Sequence, residues 1–256
     1  MKLVPLSPEN EARFWEIVKQ DYLDYFFFIY DWELQKSQTQ IYFAVNSDAV
    51  AGLMLIYDNR IVQLRGEKES VRFLLNNLNL PQVDVQIPEH SESLLLEKYP
   101  RFTLKEKVIL MSIKRGQAQP DVSVCPKRLT VNDAGAVADL MHVCYPEMWS
   151  SVSADNVAAL MNAKDAIWIG IKNNDQLAAF GYAMKNVKVS HITWIATKPQ
   201  FQCRGYATSI VTSLIKECLA FSEEAIIYVI EDNSVAKHIY QKTGFKPYKS
   251  YVFLKT

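Results

Sequence analysis

Residues Ser190–Ser222 read SHITWIATKPQFQCRGYATSIVTSLIKECLAFS, and the succession of patterns in them decides the fold. The stretch opens on β-branched and alternating residues (Ile192, Thr193, Trp194, Ile195), as a strand does. Lys198-Pro199 stops that strand. Gln202-Cys203-Arg204-Gly205-Tyr206-Ala207 follows, and a long amphipathic helix begins at once. Its apolar positions Ala207, Ile210, Val211, Leu214, Ile215, Cys218 and Leu219 recur at the three- and four-residue spacing of one buried face. Strand, loop and helix in this order predict an α/β chain.

The loop between strand and helix has its own chemistry. The first turn of a helix presents backbone N–H groups without an internal partner, and the aligned peptide dipoles leave partial positive charge there. A loop leading into such a turn suits a pyrophosphate. Gly205 lets the backbone approach a ligand closely, Ala207 is too small to block it, and Arg204 adds a cation. A loop that merely contains a glycine and an arginine would look the same.

A second element narrows the choice. Gln202-x-x-Gly205-x-Ala207 resembles the Q/R-x-x-G-x-G/A acetyl-CoA signature of the GNAT N-acetyltransferase superfamily. Downstream, Asn233-Ser-Val-Ala236-Lys-His-Ile-Tyr240-Gln-Lys-Thr-Gly244-Phe245 is similar to the family's N-x-x-A-x-x-x-Y-x-x-x-G-F. Neither Gly-Lys-Ser/Thr nor Gly-x-Gly-x-x-Gly occurs, so the short nucleotide-loop patterns do not fit. The resemblance implies a GNAT-type acyl-CoA N-acyltransferase fold with a mixed α/β sheet, acetyl-CoA as cosubstrate and no metal.

The resemblance also assigns residues. Backbone groups of Ile195, Ala196 and Thr197 would bond the pantetheine arm beside a splayed sheet. Gln202 opens the loop signature, and the amides of Cys203, Arg204, Gly205, Tyr206, Ala207 and Thr208 would hold the pyrophosphate. Asn233 would bond the pantetheine or its phosphate end. Tyr240 would protonate the departing thiolate, since an ordinary phenol with a pKa of about 10 is a donor at neutral pH. The base falls at His191, where many relatives carry an acid; imidazole, with a pKa of about 6.5, can accept a proton there, or the residue can be an ordinary strand residue. Tyr228 and Glu231 are further candidates, and His238 lies on a different face of the Tyr240 helix. A lowered thiol pKa at a helix start would make Cys203 reactive. The family's chemistry is direct transfer in a ternary complex, so Cys203 is better viewed as a site of thiol modification.

Composition sets limits. The chain has 256 residues, 49% of them hydrophobic, enough for one large or two small domains with a substantial core. Lys plus Arg (28) balances Asp plus Glu (28), so no global field favours nucleic acid or an anionic membrane. Cys125, Cys144, Cys203 and Cys218 form no C-x-x-C pair, which argues against a zinc knuckle or a disulfide scaffold. The N-terminus lacks a basic-then-apolar signal, and the apolar run from Tyr25 to Tyr30 is too short for a bilayer. A soluble, cytoplasmic protein is expected.

Element order suggests a duplication. Ser7 reads as a helix cap with Pro8 in the first turn, and the aromatics from Phe14 to Trp32 read as packing. Strands follow at 41–45, 51–57 and 60–64, then a helix at 69–78, a strand at 83–87, a helix at 91–98 and a strand at 102–113. The second half repeats that order: strand 127–129, helices 132–143 and 154–162, strands 166–171, 177–184 and 191–196, then helix, strand 225–230, helix 234–242 and strand 248–254. The turn-prone segment 114–120 marks a boundary, giving a GNAT-like N-terminal domain over 1–116 and a GNAT N-acetyltransferase domain over 121–256, in tandem. Leu64-Arg65-Gly66-Glu67-Lys68-Glu69 stands where the first half would need its phosphate loop, with acidic side chains that repel a pyrophosphate. That half reads as degenerate, or as an unrelated α/β cap.

The acceptor falls to the two helices before strand 166–171. Tyr145-Pro-Glu-Met-Trp-Ser-Ser-Val-Ser, with Glu147, reads either as a loop recognising a small polar amine or amino acid, or as ordinary packing. The resemblance therefore implies acetyl transfer to a small-molecule amine. A non-catalytic acyl-CoA-binding sensor is the alternative.

Overall fold

The computed structural model describes residues 1–118, 124–146, 149 and 151–256. The chain forms two compact units that interleave along the sequence. Met1–Leu110, Ile230–Asp232 and Tyr248–Thr256 make the first; Met111–Val229 and Asn233–Pro247 make the second. The division into 1–116 and 121–256 cuts the chain only once.

The N-terminal unit contains strands β1 (Lys2–Pro5), β2 (Thr39–Asn46), β3 (Ala49–Tyr57), β4 (Ile61–Gly66), β5 (Asp84–Pro88) and the start of β6 (Leu104–Lys114). Its helices are α1 (Glu11–Val18), α2 (Phe26–Leu34), α3 (Lys68–Asn76) and α4 (Glu92–Lys98). The last strand of the chain, β12 (Lys246–Lys255), enters this sheet from Tyr248 onward, and the strand order is β1-β2-β3-β4-β5-β12-β6. Both hairpins turn on residues that tolerate left-handed backbone: Ser47 (φ 46°) and Asp48 (φ 66°), then Asp58 and Asn59 (both φ 50°). One sheet face buries Val62, Leu64, Leu74, Val85 and Leu95 with Val252 and Leu254. The other carries the aromatic segment, with Phe14 and Phe28 fully buried against Ile41, Phe43 and Leu55.

Two expectations change here. The first helix starts at Glu11, not at Ser7, because the Ser7 N–H donates to Asn10 Oδ1 (2.9 Å) and Asn10 Nδ2 donates to the Pro5 carbonyl (3.0 Å), closing a turn first. Lys2–Pro5, too short to show a period, pairs antiparallel with β2 from Lys2↔Val45 to Pro5↔Tyr42.

The C-terminal unit contains strands β7 (Lys127–Arg128), β8 (Ala166–Asn173), β9 (Gln176–Met184), β10 (Val189–Thr197) and β11 (Glu224–Ile230), adjacent in that order. Helices α5 (Ala134–Cys144) and α6 (Ala154–Met161) bury Val137, Met141 and Val157 with Trp168, Phe180, Tyr182 and Ala196 on one sheet face. Helix α7 (Tyr206–Phe221) packs on the other, and α8 (Ser234–Lys242) follows β11. Gly181 on β9 makes the close approach of α7 possible. A Cβ there would lie 2.8 Å from Leu214 Cδ1 and closer still to Ile210 Cγ2. Among the described residues no helix is long and apolar enough to cross a membrane.

Candidate cofactor site

The site is built where β10 parts from its neighbour. Parallel pairing of β10 with β11 runs from Val189↔Glu224 to Ile192↔Ile227, while pairing with β9 continues to Thr197↔Ala179 after a bulge between Ile192 and Ile195. Ile195, Ala196 and Thr197 therefore lie beyond the last β11 rung. The Thr197 carbonyl is already in use: it accepts from Cys144 Sγ (3.5 Å) and Gln202 Nε2 (3.4 Å). Thr197 Oγ1 is buried and has no hydrogen-bond partner among the described residues.

A short 3-10 turn, Pro199–Phe201, leads from the strand to the loop. Cys203 (φ 59°) and Gly205 (φ 77°) both take left-handed backbone, an inexpensive conformation for glycine and a costly one for cysteine. Gln202, Cys203, Arg204 and Gly205 are exposed; Tyr206, Ala207 and Thr208 are half-buried. The first hydrogen bond into α7 runs from the Ser209 N–H to the Gly205 carbonyl (3.0 Å). The amides just before it belong to the part of a helix start that has no intrahelical acceptor. The Arg204 guanidinium lies 5.3 Å from the centre of the Phe201 ring. Exposed amides, a glycine at the tight turn and a cation at the positive end of a sixteen-residue helix can together hold an anion.

The second motif forms the start of α8. Asn233 Oδ1 accepts from the Ala236 N–H (3.0 Å), so the side chain expected to reach a ligand also caps the helix. Tyr240 is 8% exposed, its ring 6.1 Å edge-on from Phe245. Burial first, and the nearby Tyr145 charge second, push its phenol above the ordinary value, so it keeps its proton at neutral pH.

His191 has another environment. It is 5% exposed, paired with Met184 on one side and Ile226 on the other, with its ring edge-on to Tyr228 at 5.7 Å. Burial pushes its imidazole down to about 3. A neutral group with so low an affinity for protons is a poor base at neutral pH, which removes the physical ground for giving His191 that role. Its alternation with Ile192 carries no sign that both strand faces are covered.

On the face under α5, Tyr145 packs edge-on against Trp149 (4.8 Å), and Trp149 lies 6.2 Å from Trp194 on β10. Glu147, Met148 and Ser150, part of the expected acceptor loop, lie outside the described residues. Sequence reasoning missed Cys144 and Gly181. Cys144 fastens α5 to the end of β10, and Gly181 seats α7; neither belongs to a motif, and each is found only through what lies opposite it.

Residues 135–245 match the model of the acetyltransferase (GNAT) family. No curated protein matches the chain. Among solved structures, a Drosophila protein is similar over 99% of this chain and 97% of its own, with a TM-score of 0.73 at 15% identity. A GNAT-family acetyltransferase from Colwellia psychrerythraea aligns over 100% of this chain and 99% of its own (TM-score 0.63, 10% identity). A tandem GNAT protein from the clavulanic acid biosynthesis pathway aligns over 100% and 98% (TM-score 0.63, 11% identity). At these identities the likeness is one of fold: a GNAT-type mixed α/β fold along the whole chain.

Proposed function

We propose, from the premise that residues 135–245 are an acetyltransferase (GNAT) family domain, that the chain is an acetyl-CoA-dependent N-acetyltransferase acting on a small-molecule amine. The observation that supports it best is the exposed, glycine-turned start of α7 beside the end of β10, where anion-binding amides and the parted strand meet. The residues fit the cosubstrate: Gln202 to Thr208 form the diphosphate cradle, Ile195 and Ala196 offer backbone to the pantetheine arm, and the buried Thr197 hydroxyl still needs a partner. Asn233 adds its side-chain Nδ2 as a donor. Acetyl-CoA supplies a thioester whose carbon is open to attack by a neutral amine.

The chain's own residues then hold and protonate. The cradle fixes the thioester in place, which converts an encounter into a near-attack arrangement. As the amine nitrogen bonds the thioester carbon and the C–S bond breaks, Tyr240 gives its proton to the leaving sulfur, and the proton shed by the nitrogen passes through solvent to restore the phenol. With His191 sealed in the sheet, the amine's own ionisation governs how much nucleophile is available. The four free cysteines suit a reducing, cytoplasmic compartment. A degenerate N-terminal unit and an active C-terminal one belong to this same proposal, with residues 248–256 counted in the first rather than in a domain over 121–256.

The test is incubation with acetyl-CoA and a pooled amine library while free thiol is followed, beside calorimetry with CoA. CoA release above background is expected. Measurable CoA binding without turnover on any amine would support the sensor instead. Tyr240→Phe should lower turnover and leave CoA affinity unchanged; equal loss of both, or of neither, counts against Tyr240 as the acid.

A further inference from the structure

The N-terminal unit repeats the parting of strands that shapes the cofactor site, and fills it. Parallel pairing of β4 with β5 runs from Ile61↔Asp84 to Gln63↔Gln86, whereas β4 stays paired with β3 as far as Gly66↔Gly52. In β10 the corresponding residues past the last rung are Trp194 and its neighbours. In β4 they include Arg65, among the largest fully buried side chains of the described residues at 1% exposure.

Its guanidinium closes the gap. Arg65 Nη2 donates to both amide oxygens of the last rung, Gln63 Oε1 (3.1 Å) and Gln86 Oε1 (2.9 Å). Nη1 donates to the Leu64 carbonyl (3.0 Å), and Nε to the Asp24 carboxylate. The Tyr251 ring lies 4.4 Å from the guanidinium carbon and the Phe28 ring 5.8 Å from it. Asp24 in turn accepts from the Tyr251 hydroxyl and from Lys249 Nζ (2.6 Å). A buried charge is tolerated where its donors are satisfied and a counter-charge is in contact, and this one meets both conditions.

We infer that Arg65 is a built-in ligand of the N-terminal unit: its guanidinium occupies the gap between β4 and β5, so the chain takes up one CoA thioester, in the C-terminal unit alone. The turn after β4 agrees. Gly66 leads directly to Glu67 at the start of α3, and the Val71 N–H bonds the Glu67 carbonyl (2.9 Å), so no exposed loop intervenes and two acids, Glu67 and Glu69, stand at the helix start. The proposal rests on reading the parted strands of the C-terminal unit as the cofactor site.

Calorimetry with CoA on the full chain and on Gly205→Glu tests the stoichiometry. One equivalent for the natural chain and none for the variant are expected. Two equivalents, or one retained in Gly205→Glu, would overturn the inference; no binding to the natural chain would instead strike the proposed function. The plug itself is read by melting temperature. Arg65→Ala should melt lower by about 5 °C or more, and millimolar guanidinium should recover part of the loss where equal sodium or methylammonium does not. An unchanged melting temperature, or recovery by all three salts alike, refutes the plug. If Arg65→Ala does not fold, Arg65→Lys is the arbiter: an ammonium cannot span Asp24, Gln63 and Gln86 together, so it should also melt lower, and equality with the natural chain refutes the idea.

Discussion

Single side chains in this protein are governed by how far each is from water, and the sequence shows that distance poorly. His191 and Tyr240 both stand in motif-related positions, yet burial weakens the first as a base and preserves the second as a donor. The consequence for pH is definite. Turnover should not fall as pH rises to about 9, because a phenol held above its ordinary pKa of about 10 is still protonated there. An alkaline decline below that, in pH profiles of kcat, would show that Tyr240 is not the acid. Asp31 on α2 makes the same point for stability. It is 8% exposed, and burial pushes its carboxyl from 3.8 up to about 7. A folded-state pKa above the unfolded one favours the fold only at low pH, and the contribution is lost as pH rises through the folded value. At about 1.4 kcal/mol per pK unit the cost at pH 8 is roughly 4 kcal/mol at most. Asp31→Asn should therefore raise the melting temperature at pH 8 and lose that advantage near pH 4. A constant difference across that range would mean that Asp31 does not titrate with folding.

Elements were easier to read than residues, because a helix or strand averages many side chains. Of the seven apolar positions named for α7, Ile210, Val211, Leu214, Ile215, Cys218 and Leu219 are buried, whereas Ala207 is half-buried and the polar Ser209 and Thr212 are buried as well; the turns Asn46-Ser47-Asp48 and Asp58-Asn59 carry the left-handed residues of the two hairpins. What the sequence could not show is how close two elements come. Gly181 has no turn to make; its value lies in the Cβ it lacks, which lets α7 sit down on β9. Gly181→Ala should cost about 1–3 kcal/mol by overpacking, and it should also weaken CoA binding, since lifting the helix displaces the amides at its start. Denaturant unfolding and calorimetry on the same variant give both numbers. Lost stability with unchanged CoA affinity would mean that α7 absorbs the methyl without moving its N-terminus.

At the scale of the whole chain, the sequence pattern gave the order of elements but not their assignment to units. The strand read at 248–254 follows the second motif closely, so it counts in sequence as the last strand of the C-terminal half. Its hydrogen bonds place it in the N-terminal unit instead, antiparallel to β5 from Tyr251↔Pro88 to Lys255↔Asp84. No local pattern encodes that choice. It is made by contacts distant in sequence: Val252 and Leu254 complete the core under α3 and α4, while Lys249 and Tyr251 bond Asp24 and Tyr248 bonds Asp21. Burying side chains of this size contributes about 2 kcal/mol each, and a domain's whole stability is only about 5–15 kcal/mol. Ending the chain at Pro247 removes Tyr251, Val252 and Leu254 together and leaves β5 with an open edge. Hydrogen exchange on β5 should then become fast, and exchange on α3 and α4 should follow because they lose their shared core. A synthetic peptide of residues 248–256, added in trans, should restore slow exchange by re-forming the strand. If β5 stays protected in the shortened chain without the peptide, the N-terminal unit does not depend on the strand that closes it.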